Sequence, residues 1–170
     1  MHTPIHHPLR LLLPALAALL ILGGCSTLSS TWTSLSDLIT GGGVAKTTLK
    51  NLEVVAQADA NQTSATRLDL VFVYKDELKA MLPKKSQEWF ARKDEFAANL
   101  WQDMDIVSLE IPPAYVIEQV QLPKRYDTAL QVTAYANYLD KKGLQPVDLT
   151  GSVNAKLTLL QKQLALEEVK

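Results

Sequence analysis

An acid-free apolar run from Leu11 to Leu22 constrains this chain more than any other feature. Arg10 and all three histidines (His2, His6, His7) precede it, and Gly23, Gly24 and Cys25 follow it. The run is too short to span a bilayer comfortably. Its basic flank before and small residues after are those of a secretory signal peptide rather than a transmembrane helix. Residues 1–24 are therefore expected to be absent from the mature protein, which leaves 170 − 24 = 146 residues. A chain of that size makes one domain and buries roughly 70% of its unfolded surface. Without Arg10 it keeps 16 basic against 18 acidic side chains, a net charge of 16 − 18 = −2. Near-neutral charge with no long basic run argues against nucleic acid, since phosphate neutralisation needs clustered Lys and Arg.

Cys25 is the only cysteine. Placed directly after Leu22-Gly23-Gly24, it resembles the lipobox of bacterial lipoproteins, in which small residues let a signal peptidase cut before a cysteine linked to diacylglycerol. A lone cysteine in an exported chain has no disulfide partner, and lipidation accounts for it. Attachment to a membrane would then come from acyl chains, each buried methylene contributing about 0.8 kcal/mol. The competing reading is a buried or metal-binding cysteine.

Function by catalysis is narrowed sharply. The mature chain has no histidine, and its one thiol is expected to carry lipid. Ser-His-Asp and Cys-His nucleophiles, histidine or thiolate zinc sites and c-type haem attachment are thereby excluded. Carboxylate pairs remain at Asp76-Glu77, Asp94-Glu95, Asp103/Asp105 and Glu167-Glu168. Neighbouring acids on a helix point apart, and acids at a strand entrance are ordinarily solvated. The expectation is no enzyme, no metal and no small-molecule substrate. Gly41-Gly42-Gly43-Val44-Ala45-Lys46-Thr47-Thr48 superficially suggests a phosphate-binding loop, but Ala45 stands where a glycine should precede the lysine. No strand precedes it and a strand, not a helix, follows. Residues 25–48 therefore read as a lipidated cysteine and a flexible tether. Within it Leu28, Trp32, Leu35 and Ile39 are spaced for the apolar stripe of a short helix, the alternative being a disordered linker.

From Lys50 the apolar period changes to two, and residues 49–170 read as one β domain. Leu52–Ala58 is a first strand, Asp59–Ala65 a polar hairpin loop, and Leu68–Tyr74 a second strand, apolar enough to lie centrally. Asp76–Met81 is a helical turn stopped by Pro83. A helix follows from an N-cap at Ser86 to about Leu100, with Trp89, Phe90, Phe96, Ala97, Leu100 and Trp101 on one core-facing side. Further strands are expected at Asp105–Ile111, ended by Pro112-Pro113, and at Tyr115–Leu122, Ala129–Leu139 and Val147–Leu149. Val153–Val169 completes the series as one long strand with a bulge near Leu160, where the apolar parity switches. About seven strands with a helical insertion after the second predict a mainly β fold, an antiparallel β-sandwich.

Lipobox, tether, β-sandwich and helical insertion together resemble the TssJ (SciN/VasD) family, outer-membrane lipoproteins of the type VI secretion system. Leu68-Asp69-Leu70-Val71-Phe72-Val73-Tyr74 followed by Trp89-Phe90-Ala91-Arg92 carries the resemblance. Val71–Lys75 departs from the Arg-x-Tyr-Gln-Leu-like segment of better-known members. The resemblance implies a transthyretin-like sandwich, lipid-anchored at the outer membrane and facing the periplasm. It also implies recruitment of the periplasmic part of a TssM-like inner-membrane protein. Ser26 after the modified cysteine is compatible with outer-membrane sorting. No cofactor is expected beyond the covalent lipid on Cys25. The family's partner-holding loop, carried over by position, nominates Asp59, Asn61, Gln62 and Thr63. Other readings are a pilotin or assembly lipoprotein of another secretion machine, and a periplasmic glycan-binding lipoprotein using exposed aromatics such as Trp89, Trp101, Tyr115 or Tyr126.

Overall fold

The computed structural model describes residues 45–140 and 144–169, all within one compact unit, Val44–Lys170. Cys25, the Leu28 to Ile39 stripe and the Gly41–Gly43 tether lie outside the described residues. Among the described residues, eight strands build two four-stranded sheets. They are β1 (Asn51–Ala56), β2 (Thr66–Val73), β3 (Met104–Ile111), β4 (Val116–Ile117), β5 (Gln131–Asn137), β6 (Val147–Asp148), β7 (Asn154–Leu159) and β8 (Leu164–Glu168). One sheet has the order β4-β1-β7-β8, the other β3-β2-β5-β6. All pairings are antiparallel except β1 with β7, which run parallel. The mainly β sandwich expected from the sequence is therefore present, with one parallel pair inside it.

Between the sheets the period-two pattern does what it predicts. Leu52 and Val54 of β1, Leu68, Leu70 and Phe72 of β2, Val132 and Ala134 of β5, and Leu157 and Leu159 of β7 meet in one core. β2 differs from β1 in being buried on both faces, and its sequence is correspondingly almost continuous in apolar residues. The second face of β2 is covered by the insertion, a short helix α1 (Asp76–Lys79) and the long helix α2 (Ser86–Leu100). Val71, Val73, Leu78, Trp89, Phe96, Met104 and Tyr135 form the core there.

Trp89 organises this second layer. Its ring stacks on Phe96 at 5.5 Å and on Tyr135 at 4.9 Å, and its Nε1 donates to Asp69 Oδ2 at 2.9 Å. Lys93, one turn along the same face, reaches the same carboxylate at 2.8 Å. The only acid of β2 is thus neutralised and hydrogen-bonded from α2, as a buried charge must be.

Several sequence expectations are corrected. Ser86 does not cap α2: Lys85 holds the cap position, and the buried Ser86 Oγ has no hydrogen-bond partner. Trp101 lies 67% exposed and Ala97 is exposed, whereas Trp89 and Phe96 are buried against the sheet, with Phe90 and Leu100 partly buried beside them as expected. Tyr115–Leu122 contains only the two-residue β4. The bulged strand expected at Val153–Val169 is instead the β7–β8 hairpin, Leu159 opposite Leu164, so that the parity switch marks a chain reversal. The ordered domain also begins before residue 49. Thr47 N donates to Ala129 O at 2.7 Å and Thr47 Oγ1 to Thr150 O at 3.0 Å.

Candidate partner-binding pole

β1 separates two ends of the sandwich. The chain enters at Thr47 beside Ala129 and Thr150. The loop nominated for partner binding leaves the far end of this six-residue strand, about 20 Å away at the usual rise. That loop is not a hairpin, because β1 and β2 belong to different sheets; it crosses from one sheet to the other.

The crossing is made by a tight left-handed turn, with Asn61, Gln62 and Thr63 at φ of 47°, 56° and 63°. None is glycine. Asparagine tolerates this region, but glutamine and the β-branched threonine do not, at a cost of about 1–2 kcal/mol each. Only one other described non-glycine residue has positive φ: Ala114 at 57°, whose N–H donates to Gln57 O at this same pole.

Asn61 holds the turn. It is 1% exposed; its Nδ2 donates to Ala65 O at 3.1 Å and its Oδ1 accepts from Leu139 N at 2.7 Å. Its own N–H donates to Leu160 O at 3.2 Å and its carbonyl accepts from Ser64 N at 3.1 Å. One side chain therefore ties the crossover to the exit of β5, and its backbone ties it to the β7–β8 turn. Asp59, Gln62 and Thr63 are exposed. The four nominated residues thus fall into one internal anchor and three solvent-facing groups.

Sequence reasoning missed the loop's neighbours. Tyr115, 53% exposed, accepts through its carbonyl from Ala56 N, and Leu139, 58% exposed, follows Tyr138, whose hydroxyl donates to Gln163 O at 2.7 Å. Tyr115 and Leu139 give the polar turn an apolar rim. Pro112-Pro113 marked a break in the chain, but its closeness to Gln57 is a tertiary fact.

At the chain-entering end a different cluster holds the 118–130 segment. Arg125 grips Asp105 with two nitrogens, at 3.0 and 3.1 Å, and donates to Gln102 O at 2.7 Å. Tyr74 donates to Asp105 Oδ2 at 2.6 Å, and the guanidinium lies 3.9 Å over its ring. Arg125 holds the Asp105 carboxyl below its usual range, while burial and that carboxylate raise the Tyr74 phenol above its ordinary value. Asp103 pairs with Lys75 at 2.9 Å. The Asp103/Asp105 acids are thus each engaged by a cation, not paired with each other. No group of three potential metal ligands occurs among the described residues, and no described helix is long and apolar enough to cross a membrane.

The described chain is thus a two-sheet sandwich with a helical insertion between its second and third strands. Solved structures place that architecture among type VI secretion lipoproteins. The chain is similar to the T6SS lipoprotein TssJ1 from Pseudomonas aeruginosa, with 16% identity and a TM-score of 0.56 over 72% of this chain and 95% of that one. It is also similar to Serratia marcescens Lip, a membrane-bound component of the type VI secretion system, with 12% identity and a TM-score of 0.50 over 71% and 96%. A chain in the structure of the T6SS protein TssM C-terminal domain from EAEC matches with 15% identity and a TM-score of 0.51 over 70% and 97%. At these identities the likeness is one of fold. No protein-family model and no curated protein matches the sequence.

Proposed function

We propose that this chain is a TssJ-type lipoprotein, anchored through Cys25 in the outer membrane, that recruits the periplasmic part of a TssM-like inner-membrane protein to the type VI secretion membrane complex. The observation that carries the reading is the concentration of left-handed, non-glycine backbone at the pole opposite the chain's point of entry. Backbone strain persists only where surrounding structure enforces it, and it gathers where a surface must be presented in one shape. Here the enforcing group is Asn61, and what it presents is Gln62 and Thr63. The described chain begins at the other end of the sandwich, beside Ala129 and Thr150, and this pole is the one we assign to the partner. The fold likeness to TssJ1 and Lip supports the same assignment.

The test is a calorimetric titration of the full chain, in detergent, with the periplasmic portion of the TssM-like protein from the same cell. Replacing Gln62 and Thr63 together by arginine should weaken binding by about tenfold or more, the scale of a small hot spot, with the melting temperature nearly unchanged. In the same experiment Cys25→Ser should bind normally in solution yet cease to fractionate with outer membranes. Undiminished affinity of the double variant moves the site to another loop; no binding by the unmodified chain rejects the TssM assignment.

A further inference from the structure

Each sheet has two edges, and three of the four are guarded in familiar ways. β4 and β6 are two residues long, and β8 is short and ends in the exposed acids Glu167 and Glu168. β3 is different. It is paired over eight unbroken register positions with β2 on one side and, among the described residues, with no strand on the other. Its middle, Ile106-Val107-Ser108-Leu109, carries no charge, proline or bulge.

The phase of the ladder says which groups are free. Tyr74 N donates to Asp103 O, so the odd-numbered residues Asp105, Val107, Leu109 and Ile111 turn their backbone groups toward β2. Ile106, Ser108 and Glu110 turn theirs outward, and none meets another backbone group among the described residues. Beside this edge runs a groove of about 760 Å³. Val107, Leu109, Ile117 and Leu122, all partly buried, line its apolar part, and Lys124 stands at the end near the start of β3. Lys124 has no hydrogen-bond or ionic partner among the described residues.

We propose that this groove is a strand-accepting site for an extended segment of a partner protein. The segment would carry apolar residues at alternate positions and an acidic residue at the end that meets Lys124. Backbone pairing along Ile106 to Glu110 would supply affinity, and the alternating apolar floor would supply register. The second wall of the groove selects this occupant: a slot bounded by residues 117–125 receives one extended segment, not the edge of another whole sandwich. The site is separate from the Asn61–Thr63 pole and does not depend on the TssM assignment.

The probe is a short synthetic peptide alternating valine and threonine and ending in aspartate, titrated into the full chain in detergent and followed by amide hydrogen exchange. Binding should slow exchange at Ile106, Ser108 and Glu110, while the amides of Val107 and Leu109 stay as protected as before. Ser108→Pro removes one outward N–H from an exposed position and should weaken binding by about tenfold or more. Lys124→Glu, an exposed change that leaves the fold intact, should weaken it several-fold, and a peptide ending in lysine should restore it. Absence of binding, protection appearing elsewhere, or unchanged affinity in Lys124→Glu overturns the proposal. So does a concentration-dependent dimer that competes with the peptide, since the occupant would then be a second copy.

Discussion

The two sheets of this sandwich share one core but live in different surroundings. The β3-β2-β5-β6 sheet is enclosed, with the common core on one face and α1 and α2 on the other. Among the described residues, the outer face of the β4-β1-β7-β8 sheet has no such cover. Its cross-strand rows are Asn51 beside Asn154, at 2.8 Å between side chains, then Glu53 beside Lys156 at 3.4 Å, then Val116, Val55, Thr158 and Ala165 in register. The difference teaches where this protein keeps its stability. The buried charge of the enclosed sheet, Asp69, has to be satisfied from within the protein, while the uncharged Thr66 Oγ1 there goes without a hydrogen bond; groups on the open sheet are interchangeable with water.

The largest effect should therefore follow truncation of the side chain that joins α2 to the enclosed sheet. Trp89→Ala removes two stacked aromatic contacts and the donor to Asp69, and large-to-small changes of this kind cost about 3–5 kcal/mol. Val55→Ala, on the open face, should cost about 1 kcal/mol or less. Urea unfolding of both variants decides the matter. Comparable losses would mean that the helical layer is a loose cover rather than a second core.

Much of this asymmetry can be read from the residues. Leu68-Asp69-Leu70-Val71-Phe72-Val73 lacks the polar alternation of β1 and β7, which marks a strand covered on both faces, and the aromatic stripe of the next helix supplies the cover. A lone acid within that strand and a lysine one turn after Trp89 hinted at the Asp69–Lys93 pair. The β7–β8 reversal was hidden because Leu160-Gln161-Lys162-Gln163 contains none of the residues that usually punctuate turns. The left-handed crossover was hidden for a different reason: its turn formers signal a loop but not its shape. Asp59 to Thr63 reads as an ordinary solvated loop, and the burial of Asn61 depends on Leu139 and Leu160, far away in sequence. Parity and punctuation report local geometry; the shape of the candidate site comes from contacts between sheets.

Asn61 and Arg125 are ties between the enclosed and the open sheet at opposite ends, and they should differ in strength. Asn61→Ala leaves Leu139 N–H and Ala65 C=O without their partner and removes a residue that tolerates the left-handed region; the expected loss is about 1–3 kcal/mol. Gln62→Gly acts in the opposite sense. Glycine adopts this φ without steric cost, so the variant should be as stable as the parent or about 1 kcal/mol more so, despite the freedom it adds to the unfolded chain. Thermal melts of the two variants separate anchor from displayed residue. Equal destabilisation by both would show that the whole turn, not Asn61 alone, joins the sheets.

The tie at the other end is more exposed and should be the weakest. Arg125 hangs on a segment whose Val120 N–H donates to Leu52 O of the open sheet, and it grips Asp105 of the enclosed one. A carboxyl whose folded-state pKa lies below its unfolded value, about 3.9, contributes stability above that value and loses it as the pH falls through the folded one. Tyr74 works in the other direction. A phenol raised above its ordinary 10.0 favours the fold below that pH, and the contribution disappears as the pH climbs through the folded value. Between those limits Asp105→Asn should lower the melting temperature by about 1–2 °C, because a half-exposed pair is screened by solvent. The deficit should begin to shrink below the unfolded value of about 3.9 and vanish only once the pH has fallen through the lower folded-state value, where the native acid itself loses its charge. A deficit that persists unchanged into acid would mean that shape, rather than the charge on Asp105, holds Arg125 and the 118–130 segment against the enclosed sheet.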